Sequence, residues 1–179
     1  MLPKKYAGDY ALKETLMPNG RVRTTGVYVG PWFRFRAEPV ALMRAKRALC
    51  LCAALCAAAL LVPLLLVSPM LRLWYVMIPL ALAVLPAVRL VRCAALVLRR
   101  ERMTRRERDA HVSALAPLGA AIAALALLSL LGQLVYVLRG GAYATREGFI
   151  SLSALILAGV GWRTFRLRSA LAMDEVPAE

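Results

Sequence analysis

The sequence has few acids and a single imidazole. Of 179 residues, 10 are Asp or Glu against 24 Lys or Arg, and His111 is the only histidine. No Asp, Glu, Lys, Arg or His falls in the middle of a long apolar run. Proton- and ion-coupled transporters place ionisable groups there, so the usual equipment of a coupled carrier is missing. There is no Walker A sequence, no H-E-x-x-H, no G-x-S-x-G and no paired intramembrane carboxylate. These absences weigh against an intramembrane protease and against a nucleotide-driven pump acting alone, and the chain is not expected to be an enzyme. The cysteines, Cys50, Cys52, Cys56 and Cys93, all lie in apolar runs and none has disulfide-like loop spacing, so free thiols are expected. No long apolar run occurs in the first forty residues, so the expectation is no signal peptide and an uncleaved first span.

What is present is apolar and basic at once: 61% hydrophobic residues and a net charge of +14. The combination predicts membrane spans joined by basic loops. Nucleic acid is not expected as a partner, because the charge sits between apolar runs, where topology explains it. A span needs about 20 apolar residues to cross a hydrocarbon core of about 30 Å. Four runs qualify, at about 48–67, 73–92, 112–138 and 145–162. The second reaches its length if Arg89 and Arg92 extend toward the headgroups, and Trp162 is a natural interfacial anchor for the fourth.

The predicted fold class is an all-α membrane protein, a four-helix transmembrane bundle with a small cytoplasmic N-terminal β-hairpin. Basic residues set the orientation. Segments 1–47, 89–111 and 163–179 carry 21 of the 24 Lys and Arg, and they alternate with two poor connections, 68–72 and 139–148. That alternation predicts both termini in the cytoplasm of a bacterial inner membrane. Helix packing should rest on small residues at four-residue spacing: Cys52 and Cys56, Ala53 and Ala57, an Ala116–Ala120–Ala124 stripe flanked by Gly119 and Ala123, and Ala154 with Ala158. Ser129, Gln133, Ser151 and Ser153 can bond across helices. Pro63, Pro79 and Pro86 lie inside spans, where they shape helices.

Residues 1–38 form an N-terminal segment of different character. Pro18-Asn19-Gly20 is a turn signal. If Met17 pairs with Arg21, Leu16 faces Val22, Glu14 faces Thr24, Leu12 faces Gly26 and Tyr10 faces Tyr28. Tyr10, Leu12, Leu16, Val22 and Tyr28 then share one mainly apolar face. A lone hairpin is marginal in water, so this face should dock on another protein subunit or on the chain's own bundle. The Trp32-Phe33-Arg34-Phe35-Arg36 run interleaves aromatics with cations and suits anionic phospholipid at the headgroup level. Trp32, Arg34, Arg36, Arg89, Arg92 and Trp162 are the expected interface residues. Pro39 opens an interfacial helix to Arg47 that leads into the first span. Residues 39–172 make the membrane domain and 173–179 an acidic tail.

Thiolates are soft ligands for Cu(I) or Zn, but Cys50 points about 200° away from Cys52 on a helix, so packing is the expected role and no metal or cofactor is assigned. His111, with no thiol near it in the sequence, is expected to be solvated. Arg99 to Asp109 reads as a basic helix projecting from the second span. The functional reading is a non-enzymatic accessory or scaffolding subunit of a membrane complex, such as a transporter assembly. The alternative is a homo-oligomeric channel or facilitator for a small uncharged or hydrophobic solute. A third reading, a lipid-modifying enzyme, would use His111, Arg89 and Arg92 at headgroup level.

Overall fold

The computed structural model describes residues 4–16, 22–66, 68–141 and 144–176. Four long helices dominate it: α1 (Pro39–Leu65), α2 (Trp74–Arg99), α4 (Leu115–Leu138) and α5 (Thr145–Ala170). Each is long and apolar enough to cross a membrane. At 1.5 Å per residue they measure roughly 36–40 Å, more than the hydrocarbon core requires. Together they suggest a multi-pass membrane protein.

All four exist where the apolar runs are, but three extend further at the basic end. The expected interfacial helix from Pro39 and the first span are a single helix, α1. α2 runs on to Arg99 and α5 to Ala170. Hydropathy marks where lipid can surround a helix, not where the helix stops. Arg, Leu and Ala propagate a helix well, and nothing in 92–99 or 163–170 breaks one. The internal prolines, Pro63, Pro79 and Pro86, do not end their helices.

The helices close into a ring in which α1 and α4 each pack against α2 and α5. Leu49, Leu90, Leu115, Ile122, Ile150 and Leu157 fill the interior with no accessible surface. The outward faces are a belt of exposed Leu, Val and Ile, which is what a lipid-facing surface requires. The closest approach is between α4 and α5. A Cβ built on Gly119 would lie 2.6 Å from the Gly161 carbonyl oxygen, and one on Gly161 would lie 2.6 Å from Gly119 O and Ala123 N. Backbone therefore rests on backbone. The alanine stripe expected here does not make this crossing: Ala116 is buried, but Ala120 and Ala124 are exposed. Gly119 and Ala123, one position along from Ala120 and Ala124, form the contact with Gly161.

At the other end, Ser68 Oγ accepts the Met70 N–H at 3.2 Å and starts a short 3-10 turn, Pro69–Arg72. α4 ends at Leu138, and Gly140 follows its Arg139 cap with a φ of +80°, which favours glycine.

The basic end carries the remaining elements. β1 (Tyr10–Leu16) and β2 (Val22–Tyr28) form an antiparallel hairpin in the expected register, with Tyr10 opposite Tyr28, Leu12 opposite Gly26 and Leu16 opposite Val22. Its Pro18-Asn19-Gly20 turn lies outside the described residues. β3 (Trp32–Phe35) is the centre of a second sheet, flanked by β4 (Arg102–Thr104) and β5 (Met173–Val176), both antiparallel to it. The expected basic helix over Arg99–Asp109 is not there. α2 stops at Arg99, β4 follows, and a one-turn helix, α3 (Arg105–Glu107), continues into a π-turn, Arg108–Val112. The break has a local cause. Thr104 and Glu107 form a reciprocal cap, with Glu107 N–H bonded to Thr104 Oγ1 at 3.3 Å and Thr104 N–H to Glu107 Oε2 at 3.0 Å, and this starts a new helix instead of continuing α2. The first part of the expected acidic tail is likewise a strand.

Candidate functional site

The three-stranded sheet seals the basic end of the bundle. Alternate residues of β3 point opposite ways. Phe33 and Phe35 are buried and face the bundle with Met103, while Trp32 and Arg34 face outward. Each buried ring also holds a cation: the Arg108 guanidinium lies 4.0 Å from the Phe33 centroid and Lys46 Nζ lies 4.9 Å from that of Phe35. Arg36 pairs with Asp174 of β5 at 3.6 Å, which adds an ion pair to the backbone pairing of β5 with β3.

The hairpin stands on this layer, and among the described residues its fastenings lie at its base. The Tyr28 hydroxyl donates to Pro31 O at 2.7 Å and accepts from Arg105 N–H at 3.0 Å. Burial raises the Tyr28 phenol above its ordinary pKa and the Arg105 N–H opposes the shift, so the phenol stays protonated as donor. Val29 N–H and Gly30 N–H both bond to Asp9 O. Lys5 Nζ pairs with Asp109 at 2.8 Å and Tyr6 donates to the same oxygen at 3.2 Å. The hydrogen bond and charge of Asp109 raise the Lys5 pKa. Tyr10, Tyr28 and Trp32 continue the attachment as edge-to-face rings, each pair 5.3 Å apart. Gly30 is required there, because a Cβ would meet Asp9 Cβ at 2.8 Å and the Tyr28 oxygen at 2.9 Å.

Above that base the described apolar side chains of the hairpin are bare. Leu12 is 79% exposed and Val22 56%, and the opposite face shows Val27 at 42%. Of the five residues of the expected apolar face, Tyr10 and Tyr28 are half-buried against each other and the base, and Leu12 and Val22 are open. Leu16 is placed by its backbone pairing with Val22. Both strands are sheet edges, since the sheet has only two.

Other residues singled out by sequence fall elsewhere. Arg89 and Arg92 are exposed on α2, and Trp162 is exposed on α5, stacked on Phe165 and 5.1 Å from Arg166. His111 is half-buried, not the solvated residue expected. The π-turn swings it onto α2, with Nδ1 3.6 Å from Cys93 Sγ. Eighteen residues separate the two, so only the fold brings them together. Cys93 has no accessible surface, so this pair pins the connection to α2 and offers no thiol to a substrate. Among the described residues no three His, Cys, Asp or Glu side chains converge as a metal site.

A second polar group lies toward the opposite end. Ser68 Oγ donates to Glu147 Oε1 at 2.7 Å, and Glu147 Oε2 accepts Ala144 N–H at 3.1 Å at the start of α5. Ser151 donates to Gln133 Oε1 at 2.6 Å, Gln133 Nε2 to Ser129 Oγ at 3.3 Å, and Ser129 to Val76 O at 3.3 Å. Glu147 is only 4% exposed. These bonds tie α2, α4, α5 and the Ser68 connection together, the structural use expected of Ser129, Gln133 and Ser151. Ser153 instead bonds Ile150 O within its own helix. Glu147 and Ser68 were not singled out by sequence, although a Glu three residues into a helix is a recognisable cap.

The architecture places the chain among small four-helix bundles with helices long and apolar enough to span a membrane. No family model, curated protein or solved structure matches it.

Proposed function

We propose that this chain is a non-enzymatic accessory or scaffolding subunit of a bacterial inner-membrane complex, a transporter assembly for preference, with both termini in the cytoplasm. The observation that supports this most is the hairpin. It is attached at its base, exposes apolar residues on both faces and leaves both edge strands open. A two-stranded sheet is at the limit of stability in water. A partner subunit could cover Leu12 and Val22, or add a strand to either edge. The orientation rests on the distribution of basic residues, and the lack of catalytic motifs favours a presenting role over a chemical one. A homo-oligomeric channel would need its pore between copies, since the bundle interior is filled by large side chains.

The test is copurification from native membranes of the full chain and of a Leu12→Ser, Val22→Ser variant. Both side chains are exposed, so the substitutions remove partner contact without removing packing within the chain. Burying one such side chain is worth about 1.5–3 kcal/mol, so the variant should lose a stable non-identical partner that the parent retains. Recovery of a pure homo-oligomer from both would overturn the subunit reading.

A further inference from the structure

At the basic end, α1 and α2 leave a groove of about 790 Å³ between the first turns of α1 and the last turn of α2. Its floor is apolar, with Phe35, Leu42, Met43 and Leu98. Its rim is cationic: Arg34 from β3, Lys46 and Arg47 from α1, and Arg99 from α2. Glu101 is the one carboxylate in the lining, so four cations against one anion leave a net charge of +3. Lys46 is steadied by donating to Arg100 O at 2.9 Å. Among the described residues, Arg34, Arg47 and Arg99 have no ion-pair partner.

The groove sits where the apolar part of α1 begins, one residue before Ala48. Two exposed apolar stripes lead away from it toward the middle of the bundle. On α1, Met43, Arg47, Leu51 and Leu55 follow at four-residue spacing, and Met43, Leu51 and Leu55 are all exposed. On α2, Leu98, Val91, Val88 and Val84 descend on one side, again exposed. A cationic pocket from which an exposed apolar stripe leads along each of two helices matches a molecule with one anionic head and two hydrocarbon chains.

We propose that this groove binds one acidic glycerophospholipid per chain, its phosphate held by Arg34, Lys46, Arg47 and Arg99 and its acyl chains lying along the α1 and α2 stripes. The fit is electrostatic at the head, where guanidinium groups offer forked donors to phosphate. It is dispersive along the tails. A zwitterionic lipid gains less, because its own cation meets a net positive rim. The site is independent of the accessory-subunit reading, since a channel could equally hold such a lipid.

Delipidated full-length protein in detergent, titrated with phosphatidylglycerol, phosphatidylcholine or soluble glycerophosphoglycerol and followed by native mass spectrometry, tests this. One phosphatidylglycerol per chain is expected, with much weaker binding of the other two. Each basic side chain near an anionic headgroup is worth roughly a fivefold factor, so Arg34→Gln, Arg47→Gln, Arg99→Gln together should weaken binding about a hundredfold. Arg105→Gln, Arg106→Gln, Arg168→Gln removes the same charge from the same end outside the groove and should leave binding within about twofold. Leu98→Glu, at an exposed position, should also abolish it, and its failure to do so counts against the site. Equal loss in both arginine triples would reveal bulk charge attraction only and overturn the proposal. Equal binding of phosphatidylcholine, or of the soluble headgroup, would overturn it too.

Discussion

Replacing Gly161 with alanine adds one methyl group at the tightest point of the bundle. That Cβ would lie 2.6 Å from Gly119 O and from Ala123 N and 2.9 Å from Ala123 Cβ. Two of the three obstacles are backbone, which cannot swing aside as a flexible side chain can. α4 and α5 must therefore separate by most of an ångström, and the packing around Leu157, Ile122 and Ala126 opens with them. Overpacking of this kind costs about 1–3 kcal/mol, and contact with backbone puts Gly161→Ala near the top of that range. In a soluble helix the better propensity of alanine would offset up to about 1 kcal/mol. For helices that are already inserted and helical before they associate, that gain is present in both states and cancels. Gly159 is the internal control, because it lies on the same helix and a Cβ there meets nothing within 4 Å. The assay is reversible unfolding in mixed micelles, followed by tryptophan fluorescence. Gly161→Ala should lower stability by about 2–3 kcal/mol and Gly159→Ala by less than about 0.5 kcal/mol. Equal effects from the two would show that α4 and α5 do not cross at these glycines.

Topology is checked by fusing reporters to either terminus, at Met70 and in the 139–148 connection. The termini should read cytoplasmic and the two connections external, and an external C-terminus would mean that α5 does not span. Tyr28→Phe removes one donor and one acceptor at the hairpin base, worth about 1–3 kcal/mol together at 0.5–1.5 kcal/mol per bond. Amide exchange at Val29 and Gly30 should then accelerate about fivefold or more, and unchanged exchange would show that other contacts hold the hairpin. Glu147→Gln keeps the shape but faces the Ala144 N–H with a weaker acceptor or a second donor, so unfolding should come about 1.5–3 kcal/mol earlier. A neutral result would mean that the carboxylate is dispensable to the Ser68 connection.

The helices and the hairpin were legible for physical reasons that operate along the chain. An apolar run of twenty residues has little option but to be a helix, and turn chemistry at Pro18-Asn19-Gly20 set a register that alternation from Tyr10 to Tyr28 could check. The second sheet was hidden because its strands lie far apart in sequence. Trp32-Phe33-Arg34-Phe35 alternates aromatic with cation, a pattern shared by a half-buried strand and a headgroup-level segment. Only pairing with Arg102–Thr104 and Met173–Val176 separates the two, and no local signal encodes that pairing. The Thr104-to-Glu107 cap, by contrast, was present in the sequence and was masked by the density of arginine around it.

The same reasoning explains why the helix crossing was placed one residue away. Alanine is so common here that alanine at four-residue spacing recurs by composition alone. Glycine is scarcer, with 11 in the chain, and inside a membrane helix it admits a neighbour's backbone where alanine does not. Gly119 and Gly161 therefore carried the information that Ala116, Ala120 and Ala124 diluted. The polar residues follow the same logic. Glu147 opens a helix and lies close to the connection that must be held, and Ser68 is there to meet it. In this chain the scarce residue types, glycine and acid, fix how the abundant apolar surfaces are assembled.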